Sequence, residues 1–244
     1  MRNIRIDMCY DGTRYKGWQR LSSTDNTIQE KMEKTLSRIL DEPVTVSASG
    51  RTDAGTHAQL QVVNFHCNSK MPCDELLLKL RKYLPEDIGI YSCRNVSVRF
   101  HARLNAKTKT YRYRIWNSNS PCVFERKYVY IDTRSFDLDK MRLAAQSLLG
   151  THDFSAFCAN SKMKKSTVRT LHEIKIERVN EELVFMLTGN GFLHHMVRII
   201  VGTLLQVGTL ERSVDSVATL FGGALADTGG AVPSCGLCLM EVTY

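Results

Sequence analysis

A single carboxylate, Asp53, stands between Gly50 and Gly55 in the run ASGRTDAGTHA, residues 48–58, with Arg51 two places before it. A carboxylate so placed can serve as a nucleophile or a base, and the guanidinium beside it offers a planar fork of donors suited to phosphate. The glycines open backbone angles closed to other residues and let a bulky partner approach the main chain. The alternative for Asp53 is to cap its own turn, as Asp near Gly in a loop commonly does. A second group lies in residues 100–116, FHARLNAKTKTYRYRIW, where Arg103, Lys107, Lys109, Arg112 and Arg114 are interleaved with Tyr111, Tyr113 and Trp116. A strand there would set Lys107, Lys109, Tyr111 and Tyr113 on one face. That face suits an RNA backbone and a flipped base, or it is an edge strand whose tyrosines cover the core. The third signal is Arg198, inside the apolar run GFLHHMVRIIVGTLLQVG of residues 191–208. A guanidinium buried in such a helix needs an anion: Asp53 if the two halves of the chain face each other, otherwise a helix C-terminus or another carboxylate. His194 and His195, adjacent on a helix, would point about 100° apart, and are read as structural or RNA-facing.

These residues need elements to hold them. Ile4, Ile6, Met8 and Tyr10 alternate with Asn3, Arg5, Asp7 and Cys9, which predicts a strand with one buried face. Residues 11–20, DGTRYKGWQR, set Tyr15 and Trp18 among Arg14, Lys16 and Arg20. This is a pattern for stacking on bases and meeting phosphates, or for a loop folded back over the core. Thr27 with Glu30 predicts a capped helix whose apolar face is Ile28, Met32, Leu36, Ile39 and Leu40. Short strands over 44–47 and 59–65 bracket the Asp53 loop, the kind of connection where chemistry is usually placed. A helix over 74–83, stopped by Pro85, and a strand over 88–98 complete a β-α-β-β-α-β order, the ferredoxin-like one. The second half repeats the order: strand 108–116, helix 138–149, strands 170–178 and 183–188, helix 192–207 and strand 236–242, with a further helix over 213–222. The expected class is α+β. The expected halves are 1–105 and 106–244, joined near 103–107 without a flexible linker, sharing one central sheet and enclosing a cleft for a site.

The net charge of +8, from 33 Lys and Arg against 25 Asp and Glu, favours a polyanionic partner, nucleic acid before membrane. Apolar content of 43% is that of a globular protein rather than a disordered one. The first residues enter a strand pattern with no signal-peptide core, and no run approaches a membrane span, so a cytoplasmic location is expected. Eight cysteines are then expected to be reduced. Cys235 and Cys238 form a C-x-x-C, but on a strand their thiols would face opposite ways and no second pair completes a zinc site, so no metal is expected. Residues 160–169 carry Lys162, Lys164, Lys165 and Arg169. They read as a loop for phosphate contact or simple solvation.

GRTDAGTHA closely resembles the signature of the tRNA pseudouridine synthase A family. The likeness extends to Tyr10-Asp11-Gly12 and Gly17-Trp18-Gln19, to the Tyr-Arg-Tyr-Arg group at 111–114, and to Val232-Pro233-Ser234-Cys235-Gly236-Leu237, where the family has Ala-Pro-x-x-Gly-Leu. Val232 replaces the commoner alanine, and Leu104 stands where the family often has Phe. The resemblance implies the pseudouridine synthase fold, with a mainly antiparallel central sheet. It implies Asp53 as catalytic nucleophile, Arg198 paired with it, Tyr111 against the target base and Leu237 packed under it. Arg51 would hold the flipped backbone, and Arg14, Lys16, Arg20, Lys107, Lys109, Lys162, Lys164 and Lys165 would meet RNA. The implied reaction is cofactor-free isomerisation of uridine to pseudouridine at positions 38, 39 and 40 of the tRNA anticodon stem-loop, by a homodimer. The rivals are a catalytically silent tRNA-binding protein and an enzyme with the same chemistry on other uridines.

Overall fold

Ile4, Ile6 and Met8 are wholly buried and Tyr10 nearly so, and this alternation makes one face of a strand, β1 (Arg2–Tyr10), part of the core. The computed structural model describes residues 1–160 and 165–244; the RNA-binding expectation for Lys162 and Lys164 lies outside the described residues. After β1 come α1 (Ile28–Leu40), β2 (Ser47–Ala48), β3 (His57–Cys67), α2 (Cys73–Tyr83), β4 (Ile88–Val96), β5 (Thr108–Trp116), β6 (Tyr130–Ile131), α3 (Leu138–Gln146), β7 (Gly150–Asp153), β8 (Val168–Val179), β9 (Glu182–Gly189), α4 (Met196–Gly208) and β10 (Leu237–Thr243). The class is α+β. The chain forms two compact units, Met1–Lys107 with Cys238–Tyr244, and Thr108–Leu237.

In the first unit β1 pairs antiparallel with β3 on one side and β4 on the other, and β10 joins β3 in parallel through Cys238 and Leu239 opposite His57 and Ala58. The β-α-β-β-α-β order is present, with α1 started by the Glu30 amide donating to the Thr27 hydroxyl at 3.3 Å. The predicted strand over 44–47 is reduced to Ser47–Ala48. Its amides are used elsewhere: Val44 donates to the Ser37 hydroxyl at 2.9 Å and Val46 to the Glu33 carboxylate at 3.0 Å, both on α1. The closing strand packs in this unit, where sequence order had put it in the second half. The Lys107 amide donates to the Thr243 carbonyl at 2.9 Å, the Tyr244 hydroxyl to the Ala102 carbonyl at 2.8 Å, and the Arg5 guanidinium lies 4.6 Å from the Tyr244 ring centre.

In the second unit β5 pairs antiparallel with β9 and in parallel with β6, and β8 runs antiparallel to both β9 and β7. The expected helix from Phe192 begins only at Met196. His195 sits in the left-handed region at φ 62°, which a continuing helix cannot include. The helix expected over 213–222 is a 3-10 segment, Asp215–Leu220. Cys235 lies in a short 3-10 turn rather than in the strand, its thiol 3.3 Å from the Val129 carbonyl. Among the described residues no helix is long and apolar enough to cross a membrane.

Candidate active-site residues

The Asp53 loop leaves β2 and enters β3, and the loop of residues 11–20 is laid directly on it. The Trp18 amide donates to the Thr52 carbonyl at 3.0 Å and the Gly55 amide to the Tyr15 carbonyl at 3.2 Å, while the Thr56 amide closes the turn onto the Asp53 carbonyl at 3.1 Å. Gly55 has φ +76°, the left-handed angle such a turn favours in glycine. Gly17 has φ +93°, and a Cβ there would come 2.8 Å from the Thr52 carbonyl oxygen. Glycine at both places is what allows the two loops to touch. Asp53 is half-buried; Arg51 is exposed and makes no ion pair among the described residues.

Of the two readings of the 11–20 loop, the packing one holds for its aromatics. Tyr15 and Trp18 are buried, with the Tyr15 hydroxyl donating to Asp87 at 2.5 Å and the Trp18 ring 6.1 Å from that of Tyr10. The cations of this loop are exposed but differently engaged. Arg14 binds the Asp87 carboxylate through two nitrogens, at 2.6 and 2.9 Å, and Arg20 reaches Glu33 at 3.2 Å and Glu30 at 3.8 Å. Lys16 is exposed, as is Lys107, which precedes β5 rather than lying in it.

In the second unit Tyr111, Tyr113 and Ile115 form the buried face of β5. Tyr113 is a core residue, its hydroxyl donating to the Pro233 carbonyl at 2.6 Å. Tyr111 meets the Phe192 ring edge-on, 5.1 Å between centres at 83°. Phe192 is the partner that sequence reading passed over, hidden at the supposed start of a helix. Arg114 points the other way and is neutralised by Glu182 at 2.5 Å and Glu125 at 2.8 Å. Lys109 is half-buried and Lys165 exposed. Arg198 is in the first turn of α4, not its middle, and half-buried; its Nε donates to the Val232 carbonyl at 2.6 Å. That bond, with the Val232 amide 3.4 Å from the Arg198 carbonyl, ties α4 to the segment leading into Leu237, which is buried. His194 and His195 do not diverge as helix neighbours would: their rings lie 3.9 Å apart. Asp53 and Arg51 thus belong to the first unit, and Tyr111, Arg198 and Leu237 to the second.

A family model described as tRNA pseudouridine synthase matches residues 8–105 and 144–244, which include Asp53, Arg198 and Leu237. The chain belongs to the tRNA pseudouridine synthase family. It is 42% identical to "tRNA pseudouridine synthase A 1" of Clostridium tetani, over the whole of both chains. It is 41% identical to "tRNA pseudouridine synthase A" of Halalkalibacterium halodurans, over 97% of this chain and 90% of the relative. The protein of that name from Acetivibrio thermocellus is 40% identical over the full length of both. Tyr111 lies between the two stretches that the family model matches, but inside the full-length similarity to these relatives. As a tRNA pseudouridine synthase the chain is an isomerase acting on tRNA.

Proposed function

We propose that this synthase converts uridine to pseudouridine at positions 38, 39 and 40 of the anticodon stem-loop, with Asp53 as nucleophile and without a cofactor. The bond between ribose C1′ and uracil N1 breaks, the base turns in place, and C1′ bonds to C5; the C5 proton leaves to solvent and N1 takes one up. The observation that carries the reading is the Asp53 turn itself, a carboxylate on a loop clamped by main-chain bonds from residues 11–20, within a run that resembles the family's signature. A nucleophile gains from such fixing because a small misplacement of reacting groups costs much of the rate. Tyr111 is assigned to the base, with Leu237 beneath it, and Arg51 and Arg198 to substrate binding. Lys16, Lys107, Lys109, Lys162, Lys164 and Lys165 are assigned to the RNA backbone. Arg14 and Arg20 join them only by giving up carboxylate partners that they already hold.

Tritium release from tRNA labelled at uridine C5, with no metal or nucleotide added, tests the reading when followed by mapping of the modified positions. Wild type is expected to release tritium and modify positions 38 to 40, and Asp53→Asn to lose at least about a thousandfold in rate. A rate near wild type in Asp53→Asn would remove the nucleophile, and modification outside the anticodon arm would remove the substrate assignment.

A further inference from the structure

Beneath the Asp53 loop runs a buried chain of side-chain hydrogen bonds. Gln61, on β3, is wholly buried. Its Oε1 accepts from the Ser49 hydroxyl at 2.5 Å and from the Val62 amide at 3.1 Å. A main-chain N–H can only donate, so Val62 fixes which end of the carboxamide is oxygen. The nitrogen end then donates to the Gly50 carbonyl at 3.0 Å and toward the Tyr10 phenol oxygen at 3.5 Å. The Tyr10 phenol is in turn hydrogen-bonded to the Thr52 hydroxyl, 2.9 Å away, where either oxygen can donate. Burial pushes the Tyr10 phenol well above its ordinary range, so it keeps its proton. The chain is continuous from Gln61 through Tyr10 to Thr52, the residue before Asp53.

We propose that Tyr10, Thr52 and Gln61 are positioning residues for the isomerisation, aiming the Asp53 carboxylate through the backbone of Ser49, Gly50 and Thr52. The proposal rests on Asp53 being the nucleophile. Packing alone would be served as well by apolar side chains, since buried polar groups stabilise only when every one is satisfied. A continuous chain of buried hydrogen bonds ending one residue from the carboxylate instead specifies a single loop geometry, which is what a reacting group needs from its support.

The test is single-turnover tritium release, with tRNA affinity and thermal midpoint measured alongside, for Tyr10→Phe, Thr52→Val, Thr52→Ser, the double variant Tyr10→Phe with Thr52→Val, and Asp53→Asn. Tyr10→Phe and Thr52→Val are each expected to slow the step about tenfold with tRNA affinity unchanged. Thr52→Ser keeps the hydroxyl and the rate, and the double variant is no slower than the slower single, because both act through one bond. If Tyr10→Phe and Thr52→Val lower only the thermal midpoint, or if Thr52→Ser loses as much rate as Thr52→Val, the positioning role is overturned. Wild-type release by Asp53→Asn defeats the nucleophile reading and the positioning role together; a silent Asp53→Asn beside unslowed Tyr10 and Thr52 variants defeats the positioning role alone.

Discussion

A methyl group added at Gly12 would place its carbon 1.9 Å from the Thr56 carbonyl oxygen and 2.6 Å from its carbon, backbone that has no side-chain freedom with which to yield. The Gly12 amide also donates to His57 Nδ1 at 3.1 Å, so the residue is held on both counts against the chain just after Asp53. Gly12→Ala is therefore expected to destabilise by about 1–3 kcal/mol and to lower single-turnover activity at temperatures where the protein stays folded, since the displaced residue shares the turn with Asp53. Calorimetry beside the tritium assay checks both effects; an unchanged rate would mean that the turn tolerates a shift. At this scale much was legible from residue types. The run around Asp53 was legible as a connection between two strands, and the helix cap at Thr27 by its spacing to Glu30. The burial of Tyr15 and Trp18 and the carboxylate partner of Arg14 were not, because the groups they meet are distant in sequence. Asp87 takes both Tyr15 and Arg14, and Thr52 receives Trp18; no local pattern announces such partners.

α4 meets the 229–230 segment through glycine on both sides. A Cβ on Gly202 would lie 2.3 Å from the Gly230 carbonyl oxygen, and one on Gly229 would lie 2.4 Å from the Gly202 carbonyl, while the Gly229 amide donates to the Thr203 hydroxyl at 3.0 Å. Main chain thus rests on main chain, and the segment so held runs on to Val232, Pro233 and Leu237. Gly202→Ala adds helix propensity, worth up to about 1 kcal/mol, yet the clash is with backbone and is expected to win, destabilising by about 1–3 kcal/mol. A thermal midpoint unchanged or raised would show that residues 229–232 can move aside. Element boundaries were the least legible feature here. The apolar run from Phe192 to Gly208 hides the left-handed residue at His195 that delays the helix to Met196. Val44 and Val46 carried the right residues for a strand but spend their amides on α1.

Over the whole molecule the excess of eight positive charges acts on a polyanion before any specific contact forms. Sedimentation of the protein with tRNA over a salt series reads partner and assembly together. The protein alone is expected at twice its 27.7 kDa chain mass, the homodimer. The tRNA affinity is expected to fall at least about tenfold between roughly 50 and 200 mM salt, as phosphate-bound counterions are released on binding. A single-chain mass, or an affinity indifferent to salt, would count against that part of the reading. The α+β class and the β-α-β-β-α-β order of the first unit were legible from periodicity, but not the place of the closing strand, since pairing between Leu239 and Ala58 spans most of the chain. This return has a consequence for biosynthesis. The first unit leaves the ribosome early, yet the edge of β3 that begins at His57, just after the Asp53 loop, waits for Cys238 and Leu239. Residues 108–237 must be made first, on the order of ten seconds at typical rates of translation. The unit that carries Asp53 is made mostly before residues 108–237 and completed only after them, so a prematurely terminated chain would hold Asp53 on an unfinished sheet.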